Sequence, residues 1–153
     1  MGITQAAVAD ALAFVRERAR PWVDSSLEHA TDDPYIIADV GRLEIDLHAA
    51  HKVLLGTGRT LDAIAAQPID AQASARASVA VAEAKVLTTR IALEASEKLF
   101  QLAGSASTRA VHNLDRHWRN ARTHTLHDPV RWKYHAVGNF YLNDTLPPRR
   151  GAL

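Results

Sequence analysis

The sequence predicts an all-α fold: an up-and-down four-helix bundle with a short extra helix at its C-terminal end. Four long segments repeat apolar residues every three or four positions, and none alternates apolar and polar residues as a half-buried strand does. Short turn-forming stretches, such as TDDP (31–34) and QPID (67–70), separate the segments. Amphipathic helices joined by short connections are typical of an antiparallel bundle.

The first two helices are predicted from the residues at their ends. The first runs from Ile3 to about Ala19 and stops before Pro21, because a helix interior does not tolerate proline. The second begins at Pro34, where Asp33 and its neighbours can cap the exposed amides. Its predicted apolar face consists of Ile36, Val40, Leu43, Leu47, Ala50 and Leu54.

Three further helices complete the predicted bundle. The third is rich in alanine and spans about 71–102, the fourth runs from near Thr108 to just before Pro129, and a short fifth covers 130–142. The residues of the fourth helix expected to face the core are Val111, Leu114, Trp118 and Ala121. The last stretch, LPPRRGAL (146–153), is expected to be a loose tail.

The composition is that of a single domain over residues 1–153. Because 47% of the residues are hydrophobic, the chain can bury a core without disulfides, and it contains no cysteine. A formal charge of +1 provides no broad field to attract nucleic acid. No apolar stretch is long enough to cross a bilayer, and the N-terminus lacks a secretory signal pattern. We therefore expect a cytoplasmic protein that binds neither membranes nor nucleic acid.

The second and third helices are unusually long for so small a chain. At 1.5 Å per residue, each is predicted to extend about 45 Å. Helices of this length leave apolar surface uncovered in a small monomer. The sequence therefore predicts a homo-oligomer, a dimer or a tetramer, built on these two helices.

A polar stripe near the end of the fourth helix is the candidate for chemistry. At 100° per residue, the side chains that fall beside the apolar face are Asn120, His124, His127 and Asp128. A carboxylate next to His127 could hold an imidazole in one tautomer. The same residues also fit ordinary capping of a helix end before a proline. The pattern alone leaves both interpretations open.

A metal site is not predicted, although two pairs of histidines lie one turn apart. The pairs are HAAH (His48, His51) and HTLH (His124, His127), and Glu44 precedes His48 by one turn. A carboxylate-bridged diiron bundle needs a Glu-x-x-His motif on two helices, and this chain has none. The sequence also lacks the GxSxG and HExxH motifs of covalent and zinc-dependent hydrolysis.

Three stretches resemble a known family. LDRHWRNARTHTLHDPVRWKYHAVGNFYLN (114–143) looks like the C-terminal signature of flavin-dependent monooxygenases that share the acyl-CoA dehydrogenase fold, the group that contains dibenzothiophene monooxygenase. RERARPW (16–22) and LFQLAGSAS (99–107) occur in the order that this family shows. The resemblance covers essentially the whole chain and implies the helical C-terminal domain alone, without the N-terminal helical and middle β-domains of the family.

The resemblance implies a cofactor, partners and two sets of site residues. In the family, FMN or FAD lies between the β-domain and the helical bundles, a flavin reductase supplies the reduced flavin, and the bundle forms the oligomer. This chain alone is therefore expected to bind flavin weakly or not at all, and to be inactive. Arg18 and Arg20 match arginines near the flavin phosphate, and Ala103, Gly104 and Ser105 match a loop whose backbone approaches the cofactor.

The HTLHDP segment matches the region that carries the catalytic glutamate in the dehydrogenases. Asp128 occupies that position, and a shorter aspartate beside a histidine suits proton abstraction from a thioester poorly. The resemblance therefore implies a monooxygenase in which His127 handles a proton, with His124 and Asp128 orienting it. Two alternatives remain: a noncatalytic helical module that works by oligomerisation, and an acyl-CoA dehydrogenase relative.

Overall fold

The computed structural model describes residues 1–148, which contain five α-helices, three short 3₁₀ turns and no β-strand. The helices are α1 (Gly2–Glu17), α2 (Pro34–Ala65), α3 (Ala71–Ala103), α4 (Arg116–Leu126) and α5 (Val130–Asn143). The prediction of an all-α fold with a short fifth helix is therefore confirmed. Of the predicted tail, 146–148 form no helix, and 149–153 lie outside the described residues.

Aspartate side chains begin the two long helices. Asp33 Oδ1 accepts hydrogen bonds from the backbone amides of Tyr35 (2.8 Å) and Ile36 (3.4 Å) at the start of α2. Asp70 Oδ1 accepts one from the amide of Ala73 (2.7 Å) at the start of α3. These amides have no partner within their own helix, so the caps fix where each helix begins.

The predicted start of α4 is wrong by about two turns. Where the sequence predicts helix from near Thr108, the chain forms two 3₁₀ turns, Ser105–Thr108 and Ala110–His112. Asn113 then adopts a left-handed conformation with φ of 46°, which a right-handed helix cannot include. The α-helix consequently starts only at Arg116.

The buried face of α4 also differs from the predicted one. Leu114 and Ala121 are buried as expected, but Val111 is 77% exposed and Trp118 is 47% exposed. Val111 lies on the 3₁₀ turn before the helix, so the helical spacing does not apply to it. The buried stripe includes His117, and Trp118 lies one residue, or about 100°, away from it.

The chain forms two compact units, and α2, α3 and α4 each contribute to both. The first unit contains 1–48 and 91–123, and the second contains 49–90 and the described residues from 124 onward. Buried residues in the first include Ala7, Val8, Ala11, Phe14, Val15, Leu43, Leu47, Ile91, Leu99 and Leu102. Buried residues in the second include Ala50, Ala73, Ala75, Val79, Ala82, Ala84, Val86 and Lys133.

Candidate functional site

The first unit contains a groove of about 660 Å³ lined by residues at the end of α1, the start of α2 and the end of α3. The five residues predicted to contact the flavin all line it: Arg18, Arg20, Ala103, Gly104 and Ser105. They come from two segments that are more than 80 residues apart in the sequence. The fold thus brings the two halves of the predicted cofactor site onto one concave surface.

The arginines stand where α1 ends. Arg18 leaves the helical conformation (φ −139°), while its amide donates to the Phe14 carbonyl at 2.8 Å. Its guanidinium carbon lies 5.9 Å from the centroid of the Phe14 ring. Both Arg18 and Arg20 are exposed, and neither takes part in an ion pair among residues 1–148. Two guanidinium groups are therefore available to an anion in the groove.

Gly104 also lines the groove, and its backbone conformation requires glycine. Its φ of 73° with ψ near 180° is a backbone conformation that residues with a side chain rarely adopt. No heavy atom lies within 4 Å of the place where its Cβ would be, so the backbone faces open space. The buried Ser107 hydroxyl donates to the Gly104 carbonyl at 2.6 Å and fixes the loop. A ligand can thus approach this backbone closely.

Two carboxylates also line the groove, but both are already compensated. Asp33 caps α2, as described above. Asp39 accepts hydrogen bonds from Lys98 Nζ (3.0 Å) and Arg42 Nη1 (2.7 Å). The Lys98 hydrogen bond, assisted by its charge and by Arg42 and opposed by burial, holds the pKa of Asp39 below its usual 3.8. Both carboxylates thus accept hydrogen bonds, and Asp39 is in addition paired with two cations.

The groove therefore combines features that a phosphate-bearing ligand would use. Arginines without an ion pair, a glycine backbone without a side chain, and the side chains of Trp22, Tyr35 and Leu102 line it. A mononucleotide offers the same combination of a charged phosphate and a planar apolar ring. Arginine suits the phosphate because its donors form a planar fork.

The three predicted catalytic residues, His127 as the proton carrier with His124 and Asp128 to orient it, lie in the second unit. His124 is in the last turn of α4, and His127 and Asp128 follow the helix in the bend before α5. Both imidazoles are exposed, and no hydrogen bond of His124 or His127 occurs among the described residues. Asn120 of the same predicted stripe is also exposed. His127 and Asp128 are close because they are neighbours in the sequence. The structure shows no hydrogen bond between their side chains.

The partner of Asp128 is a lysine that the sequence reading did not select. Lys133 Nζ lies 2.8 Å from Asp128 Oδ1, close enough for an ion pair although the angles are poor for a hydrogen bond. Lys133 is only 5% exposed, which is unusual for lysine. Lys133 follows Asp128 by only five positions, but its position in the sequence does not indicate that it is buried.

A second charged cluster links α1 to the start of α4. His117 Nε2 lies 2.7 Å from Asp10 Oδ2, and Arg116 forms an ion pair with the same oxygen. The His117 side chain is buried, whereas that of Asp10 is about one-third exposed. The sequence analysis missed this cluster because 107 residues separate Asp10 from His117. Its position away from the groove lining indicates a structural link between the two helices.

A search of residues 1–148 for metal-binding groups finds no set of three or more His, Asp or Glu side chains that could hold an ion. The Glu44 and His48 side chains of the HAAH region lie 3.8 Å apart, and the His48 side chain is exposed. None of the helices in this part of the chain has the length and apolarity needed to span a membrane.

Comparison with known proteins identifies the family. The model of the acyl-CoA dehydrogenase C-terminal domain matches residues 1–132. The chain belongs to this family. A probable FMNH₂-dependent monooxygenase of Pseudomonas putida is 35% identical over 149 residues, which cover 96% of the chain but 38% of that protein. The chain thus spans somewhat more than a third of the length of this relative.

Solved structures give the same result. The methanesulfinate monooxygenase of Pseudomonas fluorescens matches with a TM-score of 0.92 and 35% identity, over 97% of this chain and 39% of that one. The FMN-bound dibenzothiophene monooxygenase of Paenibacillus sp. A11-2 also matches with a TM-score of 0.92, at 32% identity, over 97% of this chain and 38% of that one. The resemblance to acyl-CoA dehydrogenase-fold monooxygenases is therefore confirmed.

Proposed function

We propose that this chain is the C-terminal, oligomer-forming domain of a monooxygenase that uses reduced flavin, and that it supplies part of the flavin and substrate site. The observation that carries the proposal is the groove in which Arg18, Arg20 and the 103–105 loop lie together. Relatives that match nearly the whole chain are flavin-dependent monooxygenases by name. A reductase would supply the reduced flavin, and we propose that the protein works in the cytoplasm.

In this proposal, Arg18 and Arg20 bind the phosphate of FMN through paired, charge-assisted hydrogen bonds. Gly104 and its neighbours let the cofactor approach the backbone, because no side chain fills that space. The bound reduced flavin supplies the electrons that activate oxygen. This chain provides only part of the site. Flavin is therefore expected to bind weakly to this chain alone, and no turnover is expected.

His127 is proposed to move a proton at its imidazole, with His124 one turn before it on α4. Histidine suits this task because its ordinary pKa lies near neutrality, so that it can both give and take a proton. The exposure of His127 in this chain is compatible with that role, because the other domains of the complete enzyme would cover His127 and hold the substrate beside it. The rate contribution expected of a proton donor in such a site is on the order of 100-fold or more.

The oligomer is proposed to form through the long helices. Large apolar side chains that are more than a third exposed on α2 and α3 include Ile37, Ile45, Leu54, Leu55, Leu61 and Val81. Apolar surface of this extent in a monomer indicates an interaction site. A second copy of the chain is the partner that a dimer or tetramer would supply.

The test reconstitutes the enzyme from this chain and the flavin-binding part that its relatives carry, with FMN, a reductase and oxygen. We expect flavin-dependent oxygen consumption that neither part shows alone. His127→Gln should slow it at least tenfold, whereas His48→Gln, an exposed histidine on α2, should change it less than twofold. Full activity of His127→Gln would overturn the proton-handling role. An oligomer that shows no flavin-dependent reaction would favour a noncatalytic module.

A further inference from the structure

We infer that Lys133 is a positioning residue for the corner between α4 and α5, defined here as residues 127–129. By holding the Asp128 side chain, Lys133 fixes the backbone that carries His127. The catalytic role of the corner rests on the proposed function. The ion pair and its effect on the structure of the corner are argued from the geometry of this chain alone.

The burial of the pair is the first argument. The Lys133 side chain is 6% exposed and that of Asp128 is 29% exposed, and Asp128 Oδ1 itself is buried. Removing a lysine from water is costly unless an opposite charge compensates it. Asp128 is the acidic partner of Lys133 among the described residues, so without it the buried ammonium group would have no opposite charge beside it.

The local chain geometry is the second argument. α4 ends at Leu126 and α5 begins at Val130, so the connection is only three residues long. Pro129 fixes its own φ at −67°, and its carbonyl accepts from the Trp132 amide at 3.2 Å in the first turn of α5. Lys133, in the following turn, reaches back across the proline to Asp128. Asp128 is thereby tied to the start of α5.

Two consequences follow for the chemistry of the corner. The Asp128 oxygen nearest Lys133 lies beside the ammonium group, so we assign Asp128 to holding the corner and not to proton exchange with a substrate. His127 is one peptide bond from Asp128, so holding Asp128 also restrains the backbone of His127. A proton carrier needs a fixed position, because small displacements slow a reaction sharply. The sequence analysis assigned Asp128 to orient His127; the structure assigns the orientation to the Lys133–Asp128 pair, acting through the backbone.

The pair is tested first on this chain alone, by thermal unfolding and by backbone NMR of residues 127–129. Lys133→Met removes the charge but keeps a long unbranched side chain, and Lys133→Arg keeps the charge. We expect Lys133→Met to lower the unfolding midpoint and to increase motion at the corner, and Lys133→Arg to stay close to the native protein in both. A Lys133→Met protein with unchanged midpoint and unchanged corner signals would overturn the inference.

The double variant Asp128→Asn/Lys133→Met separates positioning from stability. Because it leaves no charge buried alone, it should regain most of the unfolding midpoint that Lys133→Met loses. It should not regain the order of the corner, since no ion pair remains to restrain it. A double variant whose corner is as ordered as in the native protein would contradict a positioning role for Lys133.

Turnover of the reconstituted enzyme gives the second readout. Lys133→Met and the double variant should both lower kcat about tenfold with KM for the organic substrate changed little, and Lys133→Arg should restore most of kcat. Native kcat in the double variant would overturn the inference. If the native assembly shows no turnover, the proposed function fails, and the unfolding and NMR results still decide whether Lys133 positions the corner.

Discussion

Buried polar side chains in this protein differ in whether a hydrogen bond replaces the water that they lose. Thr57 donates to the Ala80 carbonyl at 3.1 Å, and Ser96 donates to the Ala92 carbonyl at 2.6 Å. Thr4 is fully buried, and its hydroxyl has no partner among the described residues. An unpaired buried hydroxyl costs roughly 1–3 kcal/mol, so these threonines should respond oppositely to the same substitution.

Thr4→Val should stabilise the protein by about 1 kcal/mol, because valine keeps the shape of threonine and removes the unpaired hydroxyl. Thr57→Val should destabilise it by about 1 kcal/mol, because it removes a hydrogen bond to Ala80. Urea unfolding at one fixed protein concentration measures both changes. Equal losses of stability in the two variants would show that the Thr4 hydroxyl has a partner.

Candidate site residues could be predicted from the sequence, but contacts between residues that are far apart in the chain could not. The resemblance selected Arg18, Arg20 and Gly104, and the fold places all three on one groove. It did not select Lys133, because nothing in a helical pattern distinguishes a buried lysine from an exposed one. The Asp10–His117 contact was also beyond prediction, since only the tertiary fold brings α1 to α4.

Both ends of α1, α3 and α5 and the start of α2 lie within about two residues of the predicted ones, because these helices have regular apolar patterns and caps or prolines near those ends. Aspartate caps and prolines mark where α2, α3 and α5 begin, and Pro21 follows the end of α1. The start of α4 could not be predicted, because the spacing of apolar residues does not indicate that Asn113 adopts a left-handed backbone conformation. Helical periodicity thus misplaced Val111 and Trp118 in the core.

The exposed apolar surface of α2 carries a prediction about assembly. Leu55 is 47% exposed, and we expect Leu55→Glu to shift the proposed dimer or tetramer toward the monomer, because it would bury a charge in the proposed interface. Val111→Glu, at a more exposed residue outside the α-helices, is the control and should leave the oligomer intact. Light scattering measures the mass, and circular dichroism checks that helix content is retained. A monomeric native protein would contradict the proposed assembly.

For the whole molecule, the fold explains how residues from two distant segments form the groove that we propose for the flavin phosphate. α1 ends at Glu17 and α3 ends at Ala103, and the arginines and the glycine loop that follow them line the same surface. Of the two acidic residues of that surface, Asp39 is paired with Lys98 and Arg42, and Asp33 accepts hydrogen bonds from backbone amides. Composition and periodicity predicted the helices; the groove followed only from the family resemblance and the coordinates.

The most direct test of the central claim is an NMR titration of this chain with FMN and, in parallel, with riboflavin, which lacks the phosphate. We expect millimolar FMN to shift the amide signals of 103–105, and riboflavin to shift them much less. The Arg18→Gln/Arg20→Gln variant should lose the FMN response, whereas Arg16→Gln, an exposed arginine outside the groove, should keep it. An FMN response that survives loss of both groove arginines, or that leaves 103–105 unchanged, would contradict the assignment of this groove to the flavin phosphate.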